Sequence, residues 1–434
     1  MRILPIALLS LLLWSCGSST PEDQNKKSDS VVTAAPVIQI NQEITVTAGE
    51  ATYRLYVPDT TTTGLKGAVL LLDPSGKGDE VLLRYKEVAA RNGWLLAGSM
   101  STRNGMDQGR SFDLVGSMVK DIQQKFGNRT PVYLVGFSGG ARVAAFCAAR
   151  MNDVAGVVCA GAAPSGVVSK PCVIIAGLAD MNYREAVRYK DEMSKKNQNI
   201  PMLVTSGKHE WPTVAAVEAA LMVLNASAPE RLQTITDTIA GISCYWASQW
   251  CRDMSLSSNK AIADYYQARL SSYANACADK DRKELESLAI KEDALQKELS
   301  EAVLMRDTTW WRANEKNYFE PTGTSRHEQL MRRRLRGYVS LTCYTYATQS
   351  FKMTNMRATE KLVKVYSIVD PTNSEWAYMQ ARLFIMLSLN EEAMKSLQLL
   401  PGLGFRDIAR LGGDETFTAL RTDSRFQEVM SACK

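Results

Sequence analysis

Apolar and polar positions alternate in a regular way between residues 43 and 226. Short runs that are apolar throughout are separated by longer segments in which apolar residues recur every three or four positions. The first pattern predicts strands buried on both faces, and the second predicts amphipathic helices. The predicted strands are 67–73, 94–100, 131–137, 154–164, 171–180 and 201–207, preceded by two strands around a turn in 43–58. The predicted helices are 79–93, 111–127, 140–151, 182–197 and 212–226. This alternation predicts an α/β fold with a doubly wound, mostly parallel sheet.

The pattern changes near residue 229, where strand signals stop and helical segments continue to the end. We therefore predict an α/β domain over 39–228 and an all-α domain over 229–434. Within 283–304, one stripe of apolar residues recurs at helical spacing, which favours a packing face in a helical hairpin or short coiled coil. The stripe comprises Leu285, Leu288, Leu295, Leu299 and Ala302.

The end of the helical domain contains a repeat-like unit. Asp370 and Pro371 break two helical stretches, and Ala381, Phe384 and Ala393 then occupy facing positions of a predicted helix pair. This unit resembles a degenerate tetratricopeptide repeat, and 404–426 resembles the end of such an array. The resemblance covers about the last seventy residues and implies a surface for a protein partner.

The first residues have the pattern of an export signal. Arg2 precedes an apolar run over 3–14, which is too short to span a bilayer as a helix. The run ends before Cys16, and Leu13 lies three residues before it, which resembles the lipobox of bacterial lipoproteins; Trp14 departs from that pattern. The resemblance implies a signal peptide over 1–16, a lipid on Cys16 and a protein anchored in the cell envelope. A plain secretory signal and an uncleaved anchor are the alternatives.

Composition narrows the function classes. The polar stretch 17–38 predicts a flexible tether, and no later segment is apolar and long enough to cross a bilayer. The net charge of +5 is small for 434 residues and does not suggest a nucleic-acid binder. With two histidines and no Cys-x-x-Cys pair, a structural zinc site is not expected.

The cysteines are consistent with an export compartment but do not demand disulfides. Cys147, Cys159 and Cys172 fall in apolar segments, where buried thiols are expected. Cys244 and Cys251 are seven residues apart, and on one helix their Cα atoms would lie about 10 Å apart, which is beyond disulfide reach.

A serine stands between glycines where a predicted strand meets a predicted helix. The sequence there is Gly136-Phe-Ser138-Gly139-Gly140. A sharp strand-to-helix turn needs small neighbours, and it would hold the Ser138 hydroxyl clear of the sheet. A tight-turn residue without a chemical role is the alternative. A serine nucleophile needs a base and an orienting acid.

The two partners are expected at the ends of later strands. Asp180 ends the strand 171–180, and His209 follows the strand 201–207. Carboxyl ends of parallel strands form the ligand-binding edge of such sheets, so the order Ser138, Asp180, His209 predicts a catalytic triad. The alternatives are that Asp180 caps the following helix and that His209 is a surface loop residue.

Residues 40–226 resemble an α/β-hydrolase. The stretch 132–164, with GxSxGG and an alanine-rich helix, is similar to the poly(3-hydroxybutyrate) depolymerase and feruloyl-esterase branch, as are "GLADMNY" and "GKHEWP". The resemblance implies that Ser138 is the nucleophile, His209 the general base and then acid, and Asp180 the group that fixes the imidazole tautomer. The usual HGGG-type loop is replaced by 73–78, "DPSGKG". The expected oxyanion donors are the backbone N–H groups of Gly139, Ser75 and Gly76.

Four other features of the sequence have a structural explanation and a functional one. Trp211 is expected to pack beneath its loop, and Asp73 to cap a turn. The arginine-rich segment 326–338 is expected to be a solvated helix face, with an anionic lipid or glycan partner as the alternative. The aromatic residues of 307–319 are expected to pack between helices rather than stack on sugars. Only six residues, 165–170, occupy the usual lid position, so the site is expected to be open unless the helical half covers it, and 101–112 to shape its pocket.

The leading hypothesis is therefore a lipid-anchored serine hydrolase of the cell envelope that cleaves a carboxylic ester through an acyl-enzyme. This mechanism needs no metal or cofactor, so none is expected. The expected substrate is an ester-bearing small molecule or glycan, and the helical domain would close the site or bind a protein. A noncatalytic envelope protein that uses both domains for binding, and a peptidase with the same triad, are the alternatives.

Overall fold

The computed structural model describes residues 40–60, 64–225, 236, 238–239, 243–276, 279–323 and 325–434, with the side chains of 271–281 left aside. The signal peptide, Cys16 and tether predicted within 1–38, and the domain boundary predicted at 228–229, lie outside these ranges.

A single sheet of eight strands occupies the first half of the chain. The strands are β1 Glu43–Ala48, β2 Ala51–Tyr56, β3 Gly67–Leu72, β4 Trp94–Ser99, β5 Val132–Phe137, β6 Val154–Ala160, β7 Cys172–Gly177 and β8 Met202–Thr205. Their order across the sheet is β1-β2-β4-β3-β5-β6-β7-β8. β2 pairs antiparallel with β1 and β4, and every later pairing is parallel. The predicted mostly parallel sheet is confirmed.

Four helices connect strands of the sheet, and a fifth follows β8. They are α1 Gly78–Asn92, α2 Gln108–Phe126, α3 Gly139–Ala148, α4 Tyr183–Lys195 and α5 Val214–Leu224. Strands β3, β4, β5 and β7 are buried along their whole length because helices cover both faces of the sheet. β3 lies between β4 and β5, so the chain reverses direction across the sheet there, and the loops after β3 and β5 meet at one edge.

The rest of the described chain is helical. The helices are α6 Cys244–Ser255, α7 Lys260–Ala276, α8 Asp279–Met305, α9 Thr308–Phe319, α10 Arg326–Lys352, α11 Met356–Val369, α12 Ser374–Met386, α13 Asn390–Gln398, α14 Ile408–Gly413 and α15 Ser424–Ala432, with a 3-10 helix at Glu415–Leu420. The predicted α/β fold followed by an all-α region is therefore confirmed. Within the described ranges, no helix has the length and apolarity needed to cross a bilayer.

The apolar cores do not follow the two predicted domains strictly. Trp246, Trp250 and Tyr266, on α6 and α7, belong to the same buried cluster as the sheet. A second cluster joins α8 to α12, and it includes Leu299 and Ala302 of the predicted stripe on α8. A third cluster closes the C-terminal end. The first two helices of the helical half are thus packed as part of the α/β layer.

The repeat-like unit has the expected helix break. α11 ends before Asp370 and Pro371, and Ala381 and Ala393 of the pair α12–α13 are fully buried in the third cluster. Its likeness to a tetratricopeptide repeat stays a prediction. The cysteine expectation holds for Cys147, Cys159 and Cys172, which are buried free thiols, and Cys244 is disulfide-bonded.

Candidate active site

The turn between β5 and α3 holds Ser138 in a strained conformation. Its φ is 52° and its ψ is −120°, a backbone conformation that residues other than glycine rarely adopt. The turn closes because two neighbours lack side chains: a Cβ on Gly136 would lie 2.2 Å from the Gly140 carbonyl oxygen, and one on Gly140 would lie 1.9 Å from that of Leu72. The backbone N–H of Ser138 donates to the carbonyl of Ala160 on the neighbouring strand β6 (2.8 Å). The elbow predicted from the glycine spacing is present.

Ser138, His209 and Asp180 meet at the carboxyl edge of the sheet. Ser138 Oγ lies 3.0 Å from His209 Nε2, and His209 Nδ1 lies 2.9 Å from Asp180 Oδ1. In the tautomer with hydrogen on Nδ1, the imidazole donates to the carboxylate and Nε2 accepts from the hydroxyl. We call these three residues the hydroxyl–imidazole–carboxylate array.

The carboxylate at the end of the array is buried and held from its own loop. Asp180 is 2 % exposed, and its Oδ1 also accepts the backbone N–H of Asn182 (2.8 Å). The Asn182 amide in turn donates to the Gly161 carbonyl (2.7 Å) and ties this loop to the end of β6. The alternative that Asp180 caps the next helix is wrong, because α4 begins at Tyr183 with Asn182 at its N-cap position.

The imidazole is packed on one side and open on the other. The Phe137 ring lies 4.8 Å from that of His209, centroid to centroid, and fixes one face of the ring. The His209 side chain is nonetheless 23 % exposed, and Ser138 is also partly exposed. The expectation of an open site agrees with this exposure.

The loop that carries His209 is bonded to the loop after β3. Trp211 Nε1 donates to Asp73 Oδ2 over 2.7 Å, and both side chains are buried. The Trp211 ring also packs on Phe137 and Tyr85, and the Tyr85 hydroxyl donates to the Pro212 carbonyl (2.8 Å). Burial raises the pKa of Tyr85, so its phenol stays a donor. Trp211 therefore packs beneath its loop as expected, and it also makes a buried hydrogen bond that the sequence did not reveal.

Two of the three expected oxyanion donors are used within their own turn. The Ser75 N–H donates to Asp73 Oδ1 (2.8 Å), and the Gly76 N–H donates to the Asp73 carbonyl (3.2 Å). The expectation that Ser75 and Gly76 donate to a substrate oxygen is therefore wrong in this structure, because the turn that Asp73 closes uses both N–H groups. Gly139, the first residue of α3, keeps the position required of the third donor.

The helical half contacts the loop that carries Asp180. Arg334 on α10 donates to the Leu178 carbonyl (2.6 Å) and forms a bidentate ion pair with Glu292 on α8 (2.8 and 2.5 Å). A Cβ on Gly337, one turn along α10, would lie 3.2 Å from Cβ of Met181. The helical half thus packs against the outer side of the loop that carries Asp180, which we call the acid loop. Arg333, also on α10, lines a cavity of about 410 Å³ beside Asp180 and the loop that carries His209.

The arginine-rich segment on α10 is not simply a solvated face. Arg332 and Arg334 are buried, and Arg332 donates to the carbonyl groups of Asn317 and Tyr318 and to the Glu328 carboxylate. Arg333, between them, is exposed. The expectation of solvent exposure is therefore wrong for both residues: Arg332 pairs with Glu328 one turn earlier on α10 and donates to two carbonyl groups of α9, whereas Arg334 pairs with Glu292 on α8. The aromatic residues of 307–319 pack as expected, with Trp311 fully buried.

The remaining histidine lies elsewhere. His327 lines a cavity of about 430 Å³ between α4, α6, α8 and α10, beside the ion pairs of Arg184 with Asp293 and of Arg334 with Glu292. In the part of the chain that the structure describes, no group of three His, Cys, Asp or Glu side chains is arranged to hold a metal.

Comparison with known proteins gives likeness at the level of fold. No family model matches the sequence, and no curated protein matches it. One similar structure is XC6422 from Xanthomonas campestris, described as an α/β serine hydrolase without lid; it is 16 % identical, with a TM-score of 0.36, over 46 % of this chain and 97 % of that one. The Pyrococcus furiosus esterase Pf2001 is 15 % identical, with a TM-score of 0.33, over 44 % and 92 %. A putative dienelactone hydrolase from Klebsiella pneumoniae is 11 % identical, with a TM-score of 0.34, over 48 % and 97 %.

These identities assign no activity to this chain. The strand order and the crossovers are those of an α/β-hydrolase fold, and the elbow at Ser138 stands where that fold places its nucleophile. The first half of the chain is an α/β-hydrolase fold, to which a large helical region is joined.

Proposed function

We propose that the protein is a serine hydrolase that cleaves a carboxylic ester through an acyl-enzyme. The observation that carries the proposal is the continuous array from Ser138 through His209 to Asp180, with Ser138 on a strained elbow. Strain, burial of the carboxylate and a partly exposed hydroxyl together have no evident structural purpose. They are the features that activate a serine.

The proposed reaction uses only the chain's own groups and water. As Ser138 Oγ attacks the ester carbonyl carbon, His209 Nε2 takes the hydroxyl proton, and the carbonyl electron pair moves onto oxygen. Collapse of this tetrahedral species breaks the bond to the alkoxy oxygen, which leaves as an alcohol with the proton from Nε2. Water then attacks the acyl-enzyme by the same route and releases the carboxylic acid. The buried Asp180 carboxylate stabilises the imidazolium formed in each half.

The openness of the site bears on substrate size. Ser138 and His209 are reachable from solvent, and the connection over 165–170 is short. A small ester or an ester on an accessible glycan fits these features. We also propose that Cys16 is lipidated and holds the enzyme in the cell envelope, as its lipobox-like surroundings suggest. Replacing Cys16 by alanine should move the protein from the membrane fraction to the soluble fraction of cells.

A fluorophosphonate probe tests the catalytic proposal directly. The protein from residue 18 onward should label, Ser138→Ala should not, and His209→Ala should label far more slowly. Ser165→Ala, an exposed serine outside the array, is the matched control and should label as the wild type does. Panels of aryl esters and aryl amides then separate an esterase from a peptidase. A folded wild-type protein that neither labels nor hydrolyses any panel member would contradict the proposal and favour a binding role.

A further inference from the structure

The loop after β3 supplies no evident oxyanion donor between residues 74 and 77. Pro74 has no N–H group, and the N–H groups of Ser75, Gly76 and Lys77 donate to Asp73 over 2.8, 3.2 and 3.3 Å. A tetrahedral species needs preorganised donors aimed at its oxyanion. The N–H of Gly139 is one such group by position, and the site requires another from outside this loop.

Asn104 is the polar side chain that lies against this position. A Cβ built on Gly139 would be 1.7 Å from Asn104 Oδ1 and 3.2 Å from Asn104 Nδ2. The side-chain amide therefore rests on the backbone directly after the nucleophile.

The Asn104 side chain has hydrogen-bonding capacity to spare. Its backbone N–H donates to the Pro74 carbonyl (2.8 Å), but within the described parts of the chain its side-chain amide makes no hydrogen bond. The loop beneath it is well held: Ser99 and Thr102 are buried, and their hydroxyl groups lie 2.8 Å apart. A carboxamide NH₂ donates two hydrogen bonds. Here the exposed amide lies against Gly139 with Oδ1 nearer than Nδ2, and a half-turn about the Cβ–Cγ bond brings the NH₂ group to the place that Oδ1 occupies, beside the Gly139 backbone.

We propose that the Asn104 side-chain amide is the second oxyanion donor, beside the N–H of Gly139. The inference rests on the proposed hydrolase function and adds a catalytic residue to it. The amide donates to the carbonyl oxygen as that oxygen becomes negative, and it releases this bond when the carbonyl re-forms. It takes no part in proton transfer.

Two variants test the role without depending on one substitution. Asn104→Ala removes the amide, and Asn104→Asp keeps its shape but replaces the NH₂ donor by an oxygen. Both should lower kcat for an aryl ester by about 10²–10³-fold with little change in KM, because the donor acts on the transition state. Arg103→Ala, at the exposed preceding residue, is the control and should keep wild-type kcat.

A transition-state analogue distinguishes catalysis from loop support. An aryl boronic acid forms a tetrahedral adduct with the serine, so its inhibition constant should rise in both variants by a factor close to the fall in kcat/KM. Wild-type kcat in both Asn104 variants would overturn the inference. An equal loss of kcat without weaker boronate binding would also overturn it. Failure of the wild type to label or hydrolyse would instead contradict the proposed function itself.

Discussion

The guanidinium of Arg334 donates to the carbonyl oxygen of Leu178 over 2.6 Å, although 156 residues separate them in the sequence. Leu178 begins the loop that carries Asp180, and Arg334 belongs to α10 of the helical half. The same guanidinium pairs with Glu292, which is fully buried, and lies over the Tyr183 ring at the start of α4 (4.6 Å). Burial raises the pKa of Tyr183, and the nearby Arg334 charge partly opposes that rise. These contacts from the helical half therefore stabilise the position of the acid loop.

Replacing Arg334 by methionine should weaken both stability and activity. The variant leaves the Glu292 carboxylate buried without its partner, and breaking such a pair costs about 3–5 kcal/mol of unfolding free energy. The acid loop also loses the donor to Leu178, so kcat should fall in the fraction that stays folded. Denaturant unfolding and ester hydrolysis, measured on the same samples, give both quantities.

The matched controls for Arg334→Met come from the same helices. Arg326→Met, at the exposed start of α10, should change neither quantity appreciably. The double variant Arg334→Met/Glu292→Leu removes both charges and should recover much of the stability but not the kcat, because the Leu178 carbonyl still lacks its donor. Full recovery of kcat in the double variant would contradict the claim that the hydrogen bond from Arg334 to the Leu178 carbonyl supports the acid loop.

Trp211→Phe should loosen the link between the His209 loop and the loop after β3. Phenylalanine keeps most of the ring packing but leaves the buried Asp73 Oδ2 without the indole donor (2.7 Å). A lost hydrogen bond to a buried charged group costs about 1.5–3 kcal/mol, and kcat should fall because both loops border the array. Trp94→Phe is the matched control, since the buried Trp94 indole nitrogen has no hydrogen-bond partner among the residues that the structure describes. Equal effects in the two variants would mean that ring volume, not the hydrogen bond, matters at Trp211.

Much of the sheet and of the array can be predicted from the sequence because their signals are local. The segments of β5 and β7 hold no charged residue and are almost entirely apolar, so each of them predicts a buried strand. Ser138, Asp180 and His209 each follow such a strand, and parallel strands bring their carboxyl ends to one edge. The convergence of three positions that are far apart in the sequence can thus be predicted without any knowledge of tertiary contacts.

The contacts that surround the array depend on long-range geometry. Arg334 stands among other arginines, which favours a solvated face, and its partner Glu292 lies 42 residues earlier on another helix. Asn104 sits in a loop with no periodic pattern, and only the packing on Gly139 gives it significance. The Asp73 turn is different, since an aspartate side chain in a turn commonly accepts the backbone N–H two residues on, which is an Asx turn. That local signal could have warned that the Ser75 N–H is already bonded.

Gly140→Ala should abolish the elbow. The new Cβ would lie 1.9 Å from the Leu72 carbonyl oxygen, which belongs to the backbone of β3 and cannot move without displacing the strand. We expect a loss of stability of about 3 kcal/mol or more, at the upper end for overpacking, and loss of fluorophosphonate labelling. Gly166→Ala, where a Cβ meets no atom within 4 Å, should keep wild-type labelling and stability. A labelled, stable Gly140→Ala protein would show that the tight approach of α3 to β3 is dispensable.

The C-terminal helices should owe part of their stability at neutral pH to Asp414. This carboxylate accepts hydrogen bonds from the Tyr378 hydroxyl (2.6 Å) and the Thr416 N–H (3.0 Å), and Arg382 lies 3.3 Å away. Burial alone would raise the pKa of Asp414, but these hydrogen bonds and the Arg382 charge outweigh burial and hold the pKa below its ordinary value. The unfolded chain therefore binds the proton more readily than the folded one. The contribution is present above the ordinary pKa of an aspartate, about 3.9, and is lost as the pH falls through the lower folded value.

Asp414→Asn removes this dependence on pH. The variant should be less stable than the wild type at pH 7, and the difference in unfolding free energy should shrink as the pH falls below about 4, where the wild-type carboxylate also takes up a proton. Denaturant unfolding at several pH values between about 3 and 7 measures the difference. Glu415→Gln, at the exposed neighbour, is the control for removing one negative charge and should show little difference from wild type across the range. A difference for Asp414→Asn that stayed constant with pH would mean that the carboxylate acts through shape and hydrogen bonds that asparagine cannot reproduce, not through its ionisation.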